Sequence, residues 1–396
     1  MRLIFQYSRL DLLSGTIQLS FTKKNFMTHV LHVYKSYFPE TRGGIEQFIQ
    51  TLTSATQILG IKNTLLTTTQ QSLDSNHRDP LEIIRAQSNF IIASCPFSLE
   101  FFRHFQKIYP QYPTIHLHFP WPFGELVTRL LVKSDHQIVV TYHADITRQK
   151  YLKKIYLPLM HSLFKRADRI VATSPNLLAS SSILQKYAAK ATVIPLSLNP
   201  LDYEAKPFFI NKWQTQVGKN FLLFIGQFRY YKGIEMLLRA LEGTQIPCIL
   251  AGEGPLKLEM QKLASKLKLD NLKFIGTISE NDKAALIELS RGVILPSTHR
   301  SEAFGLSLLE GLAFNKPLIS TELGTGTSFV NQNGKTGWVV PPRNPLALRQ
   351  AILELFKNDN LCNQFQQASK KYFEEYFQLN KIANQYKDIY LNNDSQ

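Results

Sequence analysis

Two successive runs of short apolar stretches alternating with longer amphipathic ones, separated by a proline-punctuated break, limit this chain to very few folds. In the first run, apolar or β-branched stretches near 29–34, 63–67, 90–93, 113–118, 137–142, 168–173 and 191–194 read as strands. Amphipathic stretches near 45–59, 98–108, 123–133, 149–165 and 175–186 read as helices between them. That alternation is the pattern of a parallel sheet covered by helices. Pro195, Pro200 and Pro207 then mark a linker, and the pattern restarts at Asn220. Strands near 220–225, 246–251, 271–275, 291–295 and 316–320 interleave with helices near 232–242, 254–268, 279–289, 304–314 and 345–357. With 396 residues, the chain can build two cores. The expected fold class is α/β: two doubly wound domains facing across a cleft, with ligands at the C-terminal ends of the strands. The expected boundaries are 27–199 and 200–375, with a closing helix over 376–396 packing back on the first domain. Residues 1–26 lack the layout of a signal peptide and are expected to lie outside the fold.

Charge and cysteine usage narrow the chemistry. The net charge is +15, and residues 27–200 carry 18 basic against 10 acidic side chains and most of the histidines. A basic first half suits an anionic partner such as a membrane surface or a pyrophosphate-linked substrate. No recognition motif for nucleic acid accompanies the charge. Cys95, Cys248 and Cys362 are far apart, with no CxxC, which argues against a disulfide framework or a zinc site.

The most informative local segment is Ser301–Glu310, SEAFGLSLLE, which follows the apolar run Gly292–Leu295. Glu302 stands at the mouth of a strand-to-helix turn, and Glu310 lies about 12 Å further along the helix that the turn opens. A helix start offers free N–H groups and partial positive charge to a phosphate. An isolated pair of glutamates at this spacing is most often two solvated helix carboxylates. The flanking turns point instead to a nucleotide-sugar, whose hydroxyls the two carboxylates can accept.

Four more glycine-containing turns fall at strand ends in the second half. Gly226–Gly233, GQFRYYKG, brings Arg229 and Lys232 toward the cleft, where cations can neutralise a leaving diphosphate. Ala251–Pro255, AGEGP, has a Gly-x-Gly but not the third glycine of a dinucleotide fingerprint. Thr321–Thr327 offers backbone N–H groups to a phosphate or sugar, and Gly334–Pro342 reads as a structural hairpin-like turn. In the first half, Gly43 and Gly44 let a ligand approach the backbone at a helix start. His143 and Asp145, at the end of a strand, are expected to project into the cleft. His116 and His118 read as structural, with no metal.

Taken in order, GGIE, TYHADI, ATSPN, the GxxxxYKG segment, AGEGP, SEAFGLSLLE, GTGTS and TGWVVPP resemble the retaining nucleotide-sugar glycosyltransferases of the GT-B fold, family 4. The similarity runs from about Met27 to the C-terminus and is nearest to bacterial enzymes of O-antigen and related envelope polysaccharides, often mannosyltransferases. It implies that Glu302 contacts the donor sugar and Glu310 the ribose. Phe304, Gly305 and Leu306 would serve sugar or phosphate through their amides. Lys232 would hold the diphosphate, with Gly43, Gly44, Gly226 and Gln227 around the donor. His143 would lie near hexose and acceptor, and Asp145 on the acceptor side.

The family usually has Arg directly after the strand-end glycine, where this chain has Gln227. An amide cannot supply the missing charge. Either Arg229 reaches the same phosphate or transfer is weak. The resemblance further implies same-face attack with the leaving diphosphate as base, no metal or other cofactor, and a cytoplasmic enzyme, peripheral on the inner face of the plasma membrane. GDP-mannose is the first expected donor and a UDP-hexose the second. The expected acceptor is a glycan or lipid-linked sugar, and an anionic inner-membrane surface is the expected further partner. Helix 149–165, which mixes Lys150, Lys153, Lys154 and Lys165 with Leu152, Ile155, Leu159 and Phe164, is the candidate interfacial face. An ordinary packed helix with a basic solvated side explains the same pattern.

Overall fold

The computed structural model describes residues 27–70, 81–146, 150–199 and 204–392, leaving aside the side chains of 150–153. The extension expected over 1–26, Pro200, and the side chains of Lys150, Leu152 and Lys153 lie outside the described residues. The first domain contains β1 (Thr28–Val33), β2 (Ile61–Thr69), β3 (Glu82–Gln87), β4 (Phe90–Ile92), β5 (Cys95–Phe97), β6 (Thr114–Phe119), β7 (Gln137–Tyr142), β8 (Arg169–Ala172) and β9 (Ala191–Val193). Seven of these form a parallel sheet in the order β3-β2-β1-β6-β7-β8-β9. The second domain contains β10 (Leu222–Ile225), β11 (Cys248–Ala251), β12 (Leu272–Gly276), β13 (Gly292–Leu295), β14 (Leu318–Thr321) and β15 (Gly337–Val340). These make a six-stranded parallel sheet, β12-β11-β10-β13-β14-β15.

Helices cover both faces of such sheets, so central strands are buried on both sides and read as unbroken apolar runs. LLFI in β10, CILA in β11 and LIST in β14 are of this kind, buried or nearly so throughout. In each sheet the chain order reverses once, between β1 and β6 and between β10 and β13. These reversals open crevices at the C-terminal strand ends, where doubly wound folds bind ligands. The last helix, Leu379–Tyr390, packs on the helix Gly44–Ile58 of the first domain. Its Tyr386 and Tyr390 hydroxyls pair with Thr141 Oγ1 at 3.0 Å and His116 Nδ1 at 2.8 Å. No helix among the described residues is long and apolar enough to cross a membrane.

Four local expectations need correction. Residues 90–92 form an antiparallel pair, β4 with β5, outside the large sheet. The edge strand there is β3, whose EIIRAQ is half exposed and so lacks a buried strand's apolar run. The presumed linker after Pro207 continues as a helix, Pro207–Val217, because Trp213 is buried against the helix Glu280–Leu289 and donates to Asp282 at 2.8 Å. The stretch 175–186 breaks at Ser181, whose extended backbone and capping hydroxyl start a second short helix. Finally, 337–340 is no hairpin: it pairs in parallel with β14 as the sheet edge.

Candidate active site

The two domains present helix N-termini to each other. Gly43 caps the helix Gly44–Ile58, and Gly305, in a left-handed conformation at φ +86°, caps the helix Leu306–Ala313. A Cβ on Gly44 would stand 2.6 Å from Leu306 Cδ1, so the first residue of one helix packs directly on the first side chain of the other, and a larger residue at 44 would push that leucine aside. First-turn amides of a helix have no intrahelical acceptor and carry the positive end of its dipole. Two such ends meeting at one place favour an anion.

A cavity of about 1240 Å³ opens there. Gly43, Gly44, His143, Gly226, Gln227, Lys232, Glu302, Phe304, Gly305, Leu306 and Glu310 all line it. Residues separated by up to 267 positions in sequence are thus assembled at one interdomain cleft, with strands β1, β7, β10 and β13 leading to it.

Lys232 is half-buried, with its Nζ 2.6 Å from Oε2 of the buried Glu302. Burial disfavours its ammonium form, but Glu302 more than offsets this and raises the lysine above its usual range. Ser297 donates to the same carboxylate oxygen at 3.0 Å. Glu310 is also buried and paired, with Lys283 Nζ at 2.6 Å, and Lys283 reaches the exposed Glu280 at 2.6 Å. Lys283 is again held charged against burial by its carboxylate partners. Ser307, on the first turn of the helix that Gly305 caps, lines the cavity with its hydroxyl buried and without a hydrogen-bond partner among the described residues. An unpaired buried hydroxyl is costly unless a ligand takes it up.

Arg229 lies beside this cavity, in an adjoining one of about 840 Å³ lined also by Lys35, Arg42, Glu46 and Gln227. Its Nε donates to Gln227 Oε1 at 2.6 Å. Gln227 therefore orients a cation two residues away.

Asp145, expected to meet an acceptor, lines neither cavity. Its carboxylate accepts from Arg300 at 2.9 Å and from Tyr142 and Ser181, each at 2.7 Å. Burial works against its ionisation, but these donors outweigh it and hold its pKa below the usual value. Arg300, which also donates to Ser180 and to the Leu323 and Gly324 carbonyls, makes this an ion pair between the two domains. The Thr321–Thr327 turn supports the site from behind rather than offering amides to it. Thr325 Oγ1 donates to the Glu302 carbonyl at 2.7 Å, and Gly326 N to that of Ala303 at 2.8 Å. The Gly252–Gly254 turn likewise braces the 226–228 turn, with Phe228 N donating to Glu253 O at 2.8 Å.

Sequence reasoning did not single out Ser307, Lys283, Arg300 or His32. Ser307 was legible in principle as the second residue of a helix that starts at an anion site. Lys283 and Arg300 act through partners 27 and 155 residues away, which no local pattern marks. His116 and His118, read as structural, lie with His32 in a buried cluster whose ring nitrogens fall within 4.8 Å of one another, a spacing able to hold a metal ion. His116 is bonded to Tyr390 and Thr141, whereas His118 reaches His143 and so connects to the cleft.

Comparison with known proteins agrees over both domains. Residues 42–200 match the family described as Glycosyltransferase Family 4, and residues 205–372 match Glycosyl transferases group 1. The O-antigen chain mannosyltransferase C of Escherichia coli is 42% identical over 366 residues, covering 91% of this chain and 97% of that one. D-rhamnosyltransferase WbpZ of Pseudomonas aeruginosa is 41% identical over 356 residues, covering 88% and 92%. Among solved structures, sucrose-phosphate synthase of Thermosynechococcus elongatus superposes with a TM-score of 0.77 at 21% identity, covering 92% of this chain and 98% of that one. HepE of Anabaena, in complex with UDP and glucose, gives 0.75 at 17% identity, covering 92% and 100%. These two share the fold.

Proposed function

The chain belongs to the family 4, group 1 glycosyltransferases of GT-B fold, and we propose that it is a retaining hexosyltransferase of O-antigen or related envelope polysaccharide, using GDP-mannose. The observation that carries this reading is the convergence of Lys232, the unpartnered Ser307 hydroxyl and the Leu306–Ala313 helix start on one interdomain cavity. That set suits a diphosphate: one ammonium, one hydroxyl donor and helix amides. Glu302 and Glu310 flank it as acceptors for sugar and ribose hydroxyls. Arg229, oriented by Gln227, supplies the cation that position 227 lacks, which favours an active enzyme over a weak binding relative.

The reaction that follows is same-face displacement. The acceptor hydroxyl attacks C1 as the C1–O bond to the diphosphate breaks, and the departing diphosphate oxygen takes the hydroxyl proton. Lys232, Ser307 and the helix start stabilise the charge that develops on it. His143 lines the same cavity and would touch the hexose. No metal is needed for charge neutralisation in this scheme. The acceptor, a glycan or lipid-linked sugar, would enter from the neighbouring cavity lined by Lys35 and Arg42. The exposed Phe90, Ile91 and Ile92 beside that cavity suit an approach along an anionic inner-membrane surface.

The two relatives are named for mannose and for D-rhamnose, its 6-deoxy counterpart, so a donor panel must hold both sugars on GDP together with UDP-hexoses. Thermal unfolding with each donor, followed by product analysis with a lipid-linked acceptor, tests the proposal. A donor at 100 times its Kd stabilises by about 2.7 kcal/mol. GDP-mannose should give the largest shift and an α-linked product. Stabilisation by a UDP-hexose alone would replace the donor assignment, and an inverted product would overturn the mechanism.

A further inference from the structure

Behind His143 runs a line of buried polar side chains that no local role explains. Asn63 Nδ2 donates to the Thr53 and Ile61 carbonyls, at 3.0 and 3.3 Å, and to Thr56 Oγ1 at 3.0 Å. Carbonyl oxygens only accept, so the amide nitrogen must face them, and Asn63 Oδ1 must face the other way. There it meets His32 Nε2 at 3.0 Å. An amide oxygen cannot donate, so His32 carries its proton on Nε2.

The remaining tautomers follow from that one fixed end. His32, His118 and His143 are buried with 0%, 1% and 5% exposure. Burial holds His32 down to about 4, against the raising effect of its Asn63 bond, and His143 to about 3. His118, surrounded by three other histidines as well as buried, lies well below the ordinary value. Each ring is buried against another imidazole and pairs with no carboxylate among the described residues, so nothing offsets the cost of burying a charge and all three are neutral, with one proton each. His32 Nδ1 is bare and accepts from His118 Nε2 at 3.1 Å. His118 Nδ1 is then bare and accepts from His143 Nε2 at 3.2 Å. His143 is left with a bare Nδ1, which has no hydrogen-bond partner among the described residues, on a ring that lines the cavity.

We propose that Asn63, His32 and His118 act as a chain of positioning residues that holds His143 as its Nε2–H tautomer, so that Nδ1 meets the cleft as an obligate acceptor for a hydroxyl of the bound sugar. Its recognition half rests on the sugar-transfer reading of this cleft; its tautomer half does not. The physical advantage is that a neutral imidazole free to exchange tautomers could face a sugar oxygen as donor or acceptor. Anchoring the far end of the chain on an amide with a fixed orientation removes that choice.

The tautomer is read directly by long-range proton–nitrogen correlation spectra of the full-length protein labelled with 15N-histidine. His143→Gln assigns the His143 signals. The expected result is a protonated Nε2 and an unprotonated Nδ1 at His143; a protonated Nδ1, or an even mixture, overturns the proposal. This arm uses the wild-type fold and no donor. In the second arm, the chain is broken by His118→Leu and kept by His118→Gln, whose amide can donate to His32 and accept from His143. Affinity is measured for donors with one sugar hydroxyl at a time replaced by hydrogen or by fluorine, which accepts but does not donate. In the wild type and in His118→Gln, one position should lose about tenfold with either replacement. In His118→Leu, fluorine at that position should recover most of the loss. Equal responses in all three proteins overturn the recognition half. Failure of every nucleotide-sugar to bind would refute the proposed function and leave the tautomer result standing.

Discussion

Replacing Glu302 by Gln tests whether the pair Lys232–Glu302 is a stand-in for the charge that a donor diphosphate brings. The two charges lie 2.6 Å apart with side chains only 13% and 9% exposed. At an effective dielectric constant of about 20, their gross attraction is about 6 kcal/mol. Desolvation of both groups consumes a large part of that, and cutting one partner from a buried pair costs about 3–5 kcal/mol. Gln is nearly isosteric and keeps the Ser297 hydroxyl bond, so the lower end, about 3 kcal/mol, is expected for the unliganded protein. For a domain of this size that lowers the melting temperature by about 6–12 °C. A bound diphosphate supplies the missing negative charge to Lys232. In the wild type it must first compete with Glu302, whereas in Glu302→Gln it does not. Nucleoside diphosphate should therefore bind the variant about tenfold more tightly, a gain of about 1.4 kcal/mol, and narrow the gap in melting temperature. Transfer, which needs Glu302 on the donor sugar, should fall about 10- to 100-fold. Calorimetric titration with GDP, melting with and without it, and initial rates measure the three quantities. Weaker or unchanged GDP affinity in Glu302→Gln would show that Lys232 does not carry the diphosphate.

The neighbouring carboxylate should behave in the opposite way: Glu310→Ala removes the ribose acceptor and the partner of Lys283, so nucleotide affinity falls about tenfold or more and the apo protein loses about 2–3 kcal/mol, Glu280 retaining part of the lysine's compensation; tighter nucleotide binding would mean the two glutamates are assigned in reverse. Arg229→Ala should slow donor turnover, and Gln227→Ala should do so by a comparable factor because it releases the guanidinium; turnover unchanged in both would remove Arg229 from the phosphate site. Gly233→Ala places a Cβ 1.9 Å from the Pro296 carbonyl at φ +68°, so thermal melting should show a loss of several kcal/mol or no folded protein. Asp282, partnered by Lys212, Ser279 and Trp213, has its pKa lowered from 3.8 to about 2 despite its burial. A depressed carboxylate stabilises the fold above its unfolded pKa and loses that contribution as pH falls through the folded one. The melting temperature should thus drop between about pH 4 and 2, and Asp282→Asn should flatten that slope.

The sequence by itself determined the fold class and the part of the cavity lining that sits at strand ends and helix starts, for a physical reason. Doubly wound domains bury their strands on both faces and bind at strand ends, so LLFI, CILA and GVIL announce the sheets, and the turns after them announce the site. Gly43, Gly44, Lys232, Glu302, Gly305 and Glu310 were all reachable this way, because each sits within a few residues of a strand end or helix start. The half-exposed β3 and the edge strand β15 lack that signature and escaped notice. So did the helix Pro207–Val217, whose stability comes from Trp213 packing on a segment about 70 residues later.

Only the tertiary structure decided which charges face which partners. Nothing near Glu310 in sequence points to Lys283, and nothing near Asp145 points to Arg300; both pairings depend on how layers stack. The same holds for His143. Its position at a strand end marked it as a site residue, but its tautomer descends from Asn63, eighty positions earlier, through two histidines that β1 and β6 bring side by side. Hydrogen-bond direction is a property of a connected network, and a network closes only when the fold does.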